Sequence, residues 1–83
     1  MEKLEQAIAL LDQILEDQTV PKNIRTNSKE AIDHLRNEEL DISVRVDKAI
    51  QLLDEVAEDP NIPVYTRTEV WSVVSLLESL LNE

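Results

Sequence analysis

The sequence predicts an all-α protein: a four-helix up-and-down bundle made of two duplicated helical hairpins. Three observations predict it. Apolar residues recur at the helical period in four separate runs, the chain repeats itself without gaps, and it contains no glycine. A chain without Gly is poorly supplied for tight strand turns that need positive φ. Aromatic residues are nearly absent, so the core has to be aliphatic. Leu, Ile and Val supply 27 of the 83 residues for it, well above the roughly 20% below which a chain tends to disorder. With no cysteine, neither a disulfide nor a thiolate metal site can staple the fold.

The repeat sets Ala7–Leu35 on Ala49–Leu77, an offset of 42 residues, with eleven of twenty-nine positions identical. The identities form an ordered pattern: Ala7/Ala49, Ile8/Ile50, Leu11/Leu53, Asp12/Asp54, Glu16/Glu58, Asp17/Asp59, Pro21/Pro63 and Arg25/Arg67 are among them. One domain spanning 1–83 therefore divides into hairpin units 1–41 and 42–83.

Each unit holds two helices. In the first helix, Leu4, Ala7, Ile8, Leu11, Ile14 and Leu15 follow the spacing of one helical face. A polar break, Asp17-Gln18-Thr19-Val20-Pro21, follows. Proline is tolerated in a first helical turn, where its missing N–H would be unpaired anyway, so Pro21 opens the second helix. There Ile24, Ser28, Ala31, Ile32 and Leu35 share a face. Asn37 is placed to end that helix and Asp41 to cap the third. The third helix repeats the first through Val46, Ala49, Ile50, Leu53, Val56 and Ala57. After Pro63, the fourth carries Thr66, Val70, Val73, Val74 and Leu77, and continues through Leu80 and Leu81. Short connections make consecutive helices antiparallel neighbours. A two-repeat HEAT-like helical stack is the alternative, because its repeats carry a Pro followed by an Arg as Pro21/Arg25 and Pro63/Arg67 do. Stacks of that kind need about three repeats for stability, and the closed bundle buries more.

Charge narrows the function. Eight basic against eighteen acidic residues give a net charge of −10. Nucleic-acid and anionic-membrane binding both run on Lys and Arg, so neither is expected. No apolar run reaches membrane-span length, and the charged start Met1-Glu2-Lys3-Leu4-Glu5 is no signal-peptide core. The expected compartment is the cytoplasm.

The strings Val20-Pro-Lys-Asn-Ile-Arg25 and Asp59-Pro-Asn-Ile-Pro63, each after an Ala-Ile-x-Leu-Leu-Asp helix, resemble a family of small archaeal helical proteins known as uncharacterised protein family 0147. The resemblance covers essentially the whole chain. It implies a small helical bundle and transfers no activity or functional residue.

Four candidate features remain. The duplicated carboxylates Asp12/Glu16 and Asp54/Glu58 form i, i+4 pairs. They are the only weak candidates for a hard-cation site, and no metal or cofactor is expected. Asp17 with Arg25 and Asp59 with Arg67 read as structural pairs across the two turns. Lys22, Arg25, Lys29 and Arg36 hold half of the positive charge along one side of the second helix. That stripe reads as a solvated face, since no aromatics interleave for base stacking. Val64 and Trp71, seven residues apart, lie off the apolar stripe, where the first unit has Lys22 and Lys29. An aromatic group there either caps the edge of the core or marks a partner-binding surface. Catalysis has little to work with: His34 is the only imidazole, and no second base orients any of the serines. The sequence names no function. It points to a non-catalytic protein-interaction module, or a self-associating acidic bundle, with an unknown protein or a second copy as partner. Divalent-cation or ligand binding through the duplicated carboxylates is the alternative.

Overall fold

A computed structural model describes residues 1–82. It contains four helices: α1 (Glu2–Glu16), α2 (Lys22–Arg36), α3 (Ile42–Glu58) and α4 (Val64–Leu81). α1 packs on α2 and α4, and α3 packs on the same two, while the diagonal pairs do not meet. That closed square is the bundle, not the open stack. It measures 32 × 21 × 19 Å.

The apolar stripes read from the sequence are the ones that meet. One cluster joins all four helices, with Leu11, Ile14, Ile24, Leu35, Leu53 and Leu77 among its fully buried members. Leu15, Ile50, Ala57 and Val74 sit at its margin, partly buried. Two polar residues lie inside: Ser28, whose hydroxyl donates to the Ile24 carbonyl at 2.9 Å, and Thr66, whose hydroxyl has no partner. Their counterparts 42 residues away are Val70 and Ile24, so each polar residue stands where the other unit has an apolar one.

The three connections are one turn used three times. Each opens on an Asx residue whose side-chain oxygen accepts the N–H two residues on: Asp17 from Thr19 at 2.9 Å, Asn37 from Glu39 at 3.1 Å, Asp59 from Asn61 at 2.8 Å. This is the self-bonding that suits Asp and Asn to turns. The backbone carbonyl of the same residue then takes the N–H of an apolar residue: Val20, Leu40 or Ile62. Val20 and Ile62 are buried, which fastens their turns to the core. Next come Pro21, Asp41 and Pro63, each in extended conformation, whose carbonyls accept from Arg25, Arg45 and Arg67. The two prolines thus stand one position before their helices rather than inside the first turn. Asp41 occupies the cap position, but its carboxylate takes the Ser43 hydroxyl at 2.7 Å instead of a backbone N–H. Asn37 ends α2 with φ −79°, in extended rather than left-handed conformation. No described residue has positive φ.

The bundle runs up-down-up-down. Tyr65 at the start of α4 donates to Asp17 Oδ2 at 2.9 Å, and Asn23 at the start of α2 donates to Asp59 Oδ2 at 3.0 Å. These bonds tie the first and third turns together at one end. At the other end, Lys3 Nζ donates to Ser79 Oγ at 2.6 Å, so α1 and α4 lie antiparallel.

Candidate functional site

The solvent-facing side of α4 carries little charge. α1 and α3 cover its flanks, leaving Val64, Thr68, Trp71, Ser72, Ser75 and Ser79 outward. Glu78 is the only charged residue among the exposed positions of α4. The exposed side of α3, by contrast, bears Asp47, Lys48, Asp54, Glu55 and Glu58. Trp71 is 58% exposed and Val64 76%. The indole therefore stands out from the core rather than sealing its edge. It forms one wall of a shallow open groove of about 450 Å³. The remaining lining is Thr68, Ser72, Ser75, Leu76 and Ser79.

The hydroxyls of that groove are largely occupied. Thr68 Oγ1 donates to the Val64 carbonyl at 3.3 Å and Ser72 Oγ to the Thr68 carbonyl at 3.1 Å. Ser79 Oγ accepts from Lys3. The O–H groups of Thr68 and Ser72 are thus already bonded to their own helix, which reduces the desolvation that usually opposes burial of polar groups. The face can receive an apolar or aromatic surface. The sequence reading found Trp71 and Val64 but missed the groove beside them. The signal was present: Thr68, Ser72, Ser75 and Ser79 recur at intervals of four, three and four, which puts small uncharged residues on one helical face.

The other candidates are arranged differently. The Asp59–Arg67 pair is made through backbone oxygens. Arg67 Nε donates to the Ala57 carbonyl at 2.9 Å and an Nη donates to the Asp59 carbonyl at 3.2 Å, closing the end of α3. Arg45 does related work at the second turn, donating to the Leu40 carbonyl at 2.7 Å. Arg25 Nε is buried without a hydrogen-bond partner, and Arg25 reaches Asp17 only through its field. The Asp17 carboxylate is held below its ordinary value, first by the Thr19 hydroxyl and N–H, then by Tyr65, with Arg25 adding to them. Glu69 on the neighbouring stretch of α4 is pushed up by partial burial and by the negative charge of Asp17. In the basic stripe, Lys29 pairs with Asp33 at 3.4 Å, an exposed i, i+4 bridge of little energetic weight. Lys22 and Arg36 are exposed, and His34 is partly buried. Asp12 is partly buried and Glu16, Asp54 and Glu58 are exposed. No group of three or more His, Cys, Asp or Glu able to hold a metal ion occurs among the described residues. No described helix is long and apolar enough to cross a membrane.

Fold and surface together define an all-α four-helix protein whose last helix has a weakly charged outer face. The chain belongs to the uncharacterised protein family UPF0147, whose model matches residues 1–80. It is similar to the UPF0147 protein of Metallosphaera sedula, 44% identical over 78 residues that cover 94% of this chain and 88% of the relative. The Desulfurococcus amylolyticus UPF0147 protein is 45% identical, covering 94% and 86%. Two crystal structures share the fold. One is of the unknown-function protein MMP1188, with TM-score 0.89 and 48% identity, covering 93% of this chain and 88% of that one. The other is of a UPF0147 protein from Thermoplasma acidophilum, with TM-score 0.92 and 34% identity, covering 95% and 93%. The family is one of unknown function.

Proposed function

We propose that this chain is a non-catalytic, cytoplasmic protein-interaction module that docks through the outer face of α4, with Trp71 as its anchor. The observation that supports this is a 58% exposed tryptophan on a helix face whose exposed positions carry a single charge, Glu78, in a chain with net charge −10. Tryptophan is enriched among residues that dominate binding energy, and it does so at the centre of faces that exclude water. An indole held out in solvent costs hydration free energy that a partner recovers. Small neighbours such as Ser72 and Ser75 let another surface approach the α4 backbone closely.

The test is site-specific photocrosslinking in native cells. A photoreactive residue at Ser75 should give discrete protein adducts, and one at exposed Gln51 on α3 should not. Equal or absent labelling at both positions would reject α4 as the docking face.

A further inference from the structure

We infer that the occupant of the α4 face is a second copy of this chain, docked with its α4 antiparallel. The inference rests on the reading of α4 as the docking face and adds the identity of what docks there.

A twofold interface must be self-complementary: the same patch supplies both the projection and the recess. The α4 face does so. Trp71 projects, and the groove beside it is floored by Ser72, Ser75 and Leu76. An axis crossing α4 near the level of Val73 sets Trp71 of one copy opposite Ser75 of the other, because the two are equally spaced from that level. The same axis sets Thr68 opposite Glu78, so the one charge on the face meets a hydroxyl rather than a second carboxylate.

Charge selects the same partner. A basic partner would gain most from the acidic faces, such as Asp47, Asp54, Glu55 and Glu58 on α3, and least from α4. An acidic partner would gain most from Lys22, Lys29 and Arg36 on α2, and nothing from α4. A second copy carries a charge of −10 and brings the same weakly charged α4 to the contact, so α4 against α4 turns the acidic surfaces of both copies away. At physiological salt the remaining repulsion is screened beyond about 8 Å.

Size sets the strength. α4 has 18 residues, hence a length of about 27 Å, close to the 32 Å long axis of the molecule. One helix face falls short of the roughly 800 Å² per partner of a standard interface. The dimer is therefore weak and its population follows concentration.

Trp71 is the single tryptophan of the chain, so its emission reports its own burial. Sedimentation velocity and tryptophan fluorescence of the full chain, from roughly 1 μM to 1 mM, make the test. The expected result is a doubling of mass with a parallel blue shift, both abolished in Ser75→Arg while circular dichroism stays unchanged. Trp71→Ala should lose the doubling too. A monomer with solvent-type emission across the whole range overturns the second copy as occupant; adducts to another protein from Ser75 in cells would then leave α4 as the docking face. Doubling that ignores Ser75→Arg and leaves the emission unshifted overturns the inference as well, since it places the dimer contact elsewhere.

Discussion

Tyr65 and Asn23 are pseudo-symmetric mates, 42 residues apart, and each closes the turn of the opposite hairpin. Tyr65 donates to Asp17 and Asn23 to Asp59, so the two carboxylates that open the turns are each held from the other unit. The duplication is therefore reciprocal in space as well as in sequence. The Tyr65 side also recruits Thr19, whose hydroxyl lies 2.6 Å from the Tyr65 oxygen and donates to Asp17 at 2.6 Å.

This arrangement fixes an acid-sensitive contribution. The Asp17 carboxylate titrates below its ordinary value of 3.8 in the fold, chiefly because Thr19 bonds its charged form. A group with a depressed folded pKa adds stability that is fully present above the unfolded value and lost as pH falls through the folded one. The stability gap between the parent and Asp17→Asn should be constant above about pH 4 and close below it. Thr19→Val and Tyr65→Phe should each raise the Asp17 pKa toward 3.8, with Thr19→Val having the larger effect. Carboxyl-carbon NMR titration reads both directly, and an Asp17 pKa indifferent to either variant would refute the assignment.

Glu69 has the opposite sign. Partial burial and Asp17 raise its pKa above 4.5, so its ionised form opposes folding at neutral pH. Glu69→Gln should raise the urea midpoint at pH 7 and leave it unchanged well below pH 4.5. Asp17→Asn should lower the Glu69 pKa, because it removes one of the two causes. A destabilised Glu69→Gln at neutral pH would contradict this.

Thr66 is a buried hydroxyl without a partner where the first unit places Ile24. An unsatisfied buried donor costs on the order of 1–3 kcal/mol. Thr66→Val keeps the shape and removes the hydroxyl, and should stabilise the protein by about 1 kcal/mol in urea melts. A loss of stability would mean that the hydroxyl is satisfied in solution.

Arg67 and Arg25 should behave unequally despite their duplication. Arg67 donates twice to carbonyls at the end of α3, while Arg25 Nε has no partner. Hydrogen bonds from a charged group contribute about 1.5–3 kcal/mol when partly buried, so Arg67→Ala should cost about 2 kcal/mol. Arg25→Ala should cost clearly less. Lysine at position 67 should restore only part of the loss, because a single ammonium cannot reach two carbonyls as a guanidinium fork does. Equal losses at the two sites would show that the duplicated arginines act in the same way.

Much of the fold was legible in the chain, for a physical reason. Stripes such as Leu11, Ile14 and Leu53, Val56 have one way to be buried at helical period, and the ungapped repeat made the second hairpin a copy of the first. The threefold turn was harder to see. Its second instance writes Asn37 for Asp and Asp41 for Pro, and so falls outside an alignment at 42 residues. Yet Asp17–Arg25, Asn37–Arg45 and Asp59–Arg67 share one spacing of eight residues. The partners of the duplicated arginines were not readable, because carboxylate and carbonyl oxygens of a turn residue lie equally near in sequence. Trp71 could be read from the sequence as lying off the apolar stripe, but not as 58% exposed, because a residue at the stripe's edge can lie either over the core or out in solvent.

The absence of positive φ among the described residues bears on the unfolded chain as well as the folded one. Glycine carries more conformational freedom into the denatured ensemble than any other residue, and a fold that uses it at turns gives up that freedom on folding. Here the reversals are made by ordinary residues held through Asp17, Asn37 and Asp59. The disordered state starts with less entropy to lose, and the burden of turning passes from backbone permissiveness to three side-chain oxygens. Replacing any of them with alanine loosens a corner, whereas a glycine beside them brings no conformational relief and only enlarges the ensemble from which the bundle must fold.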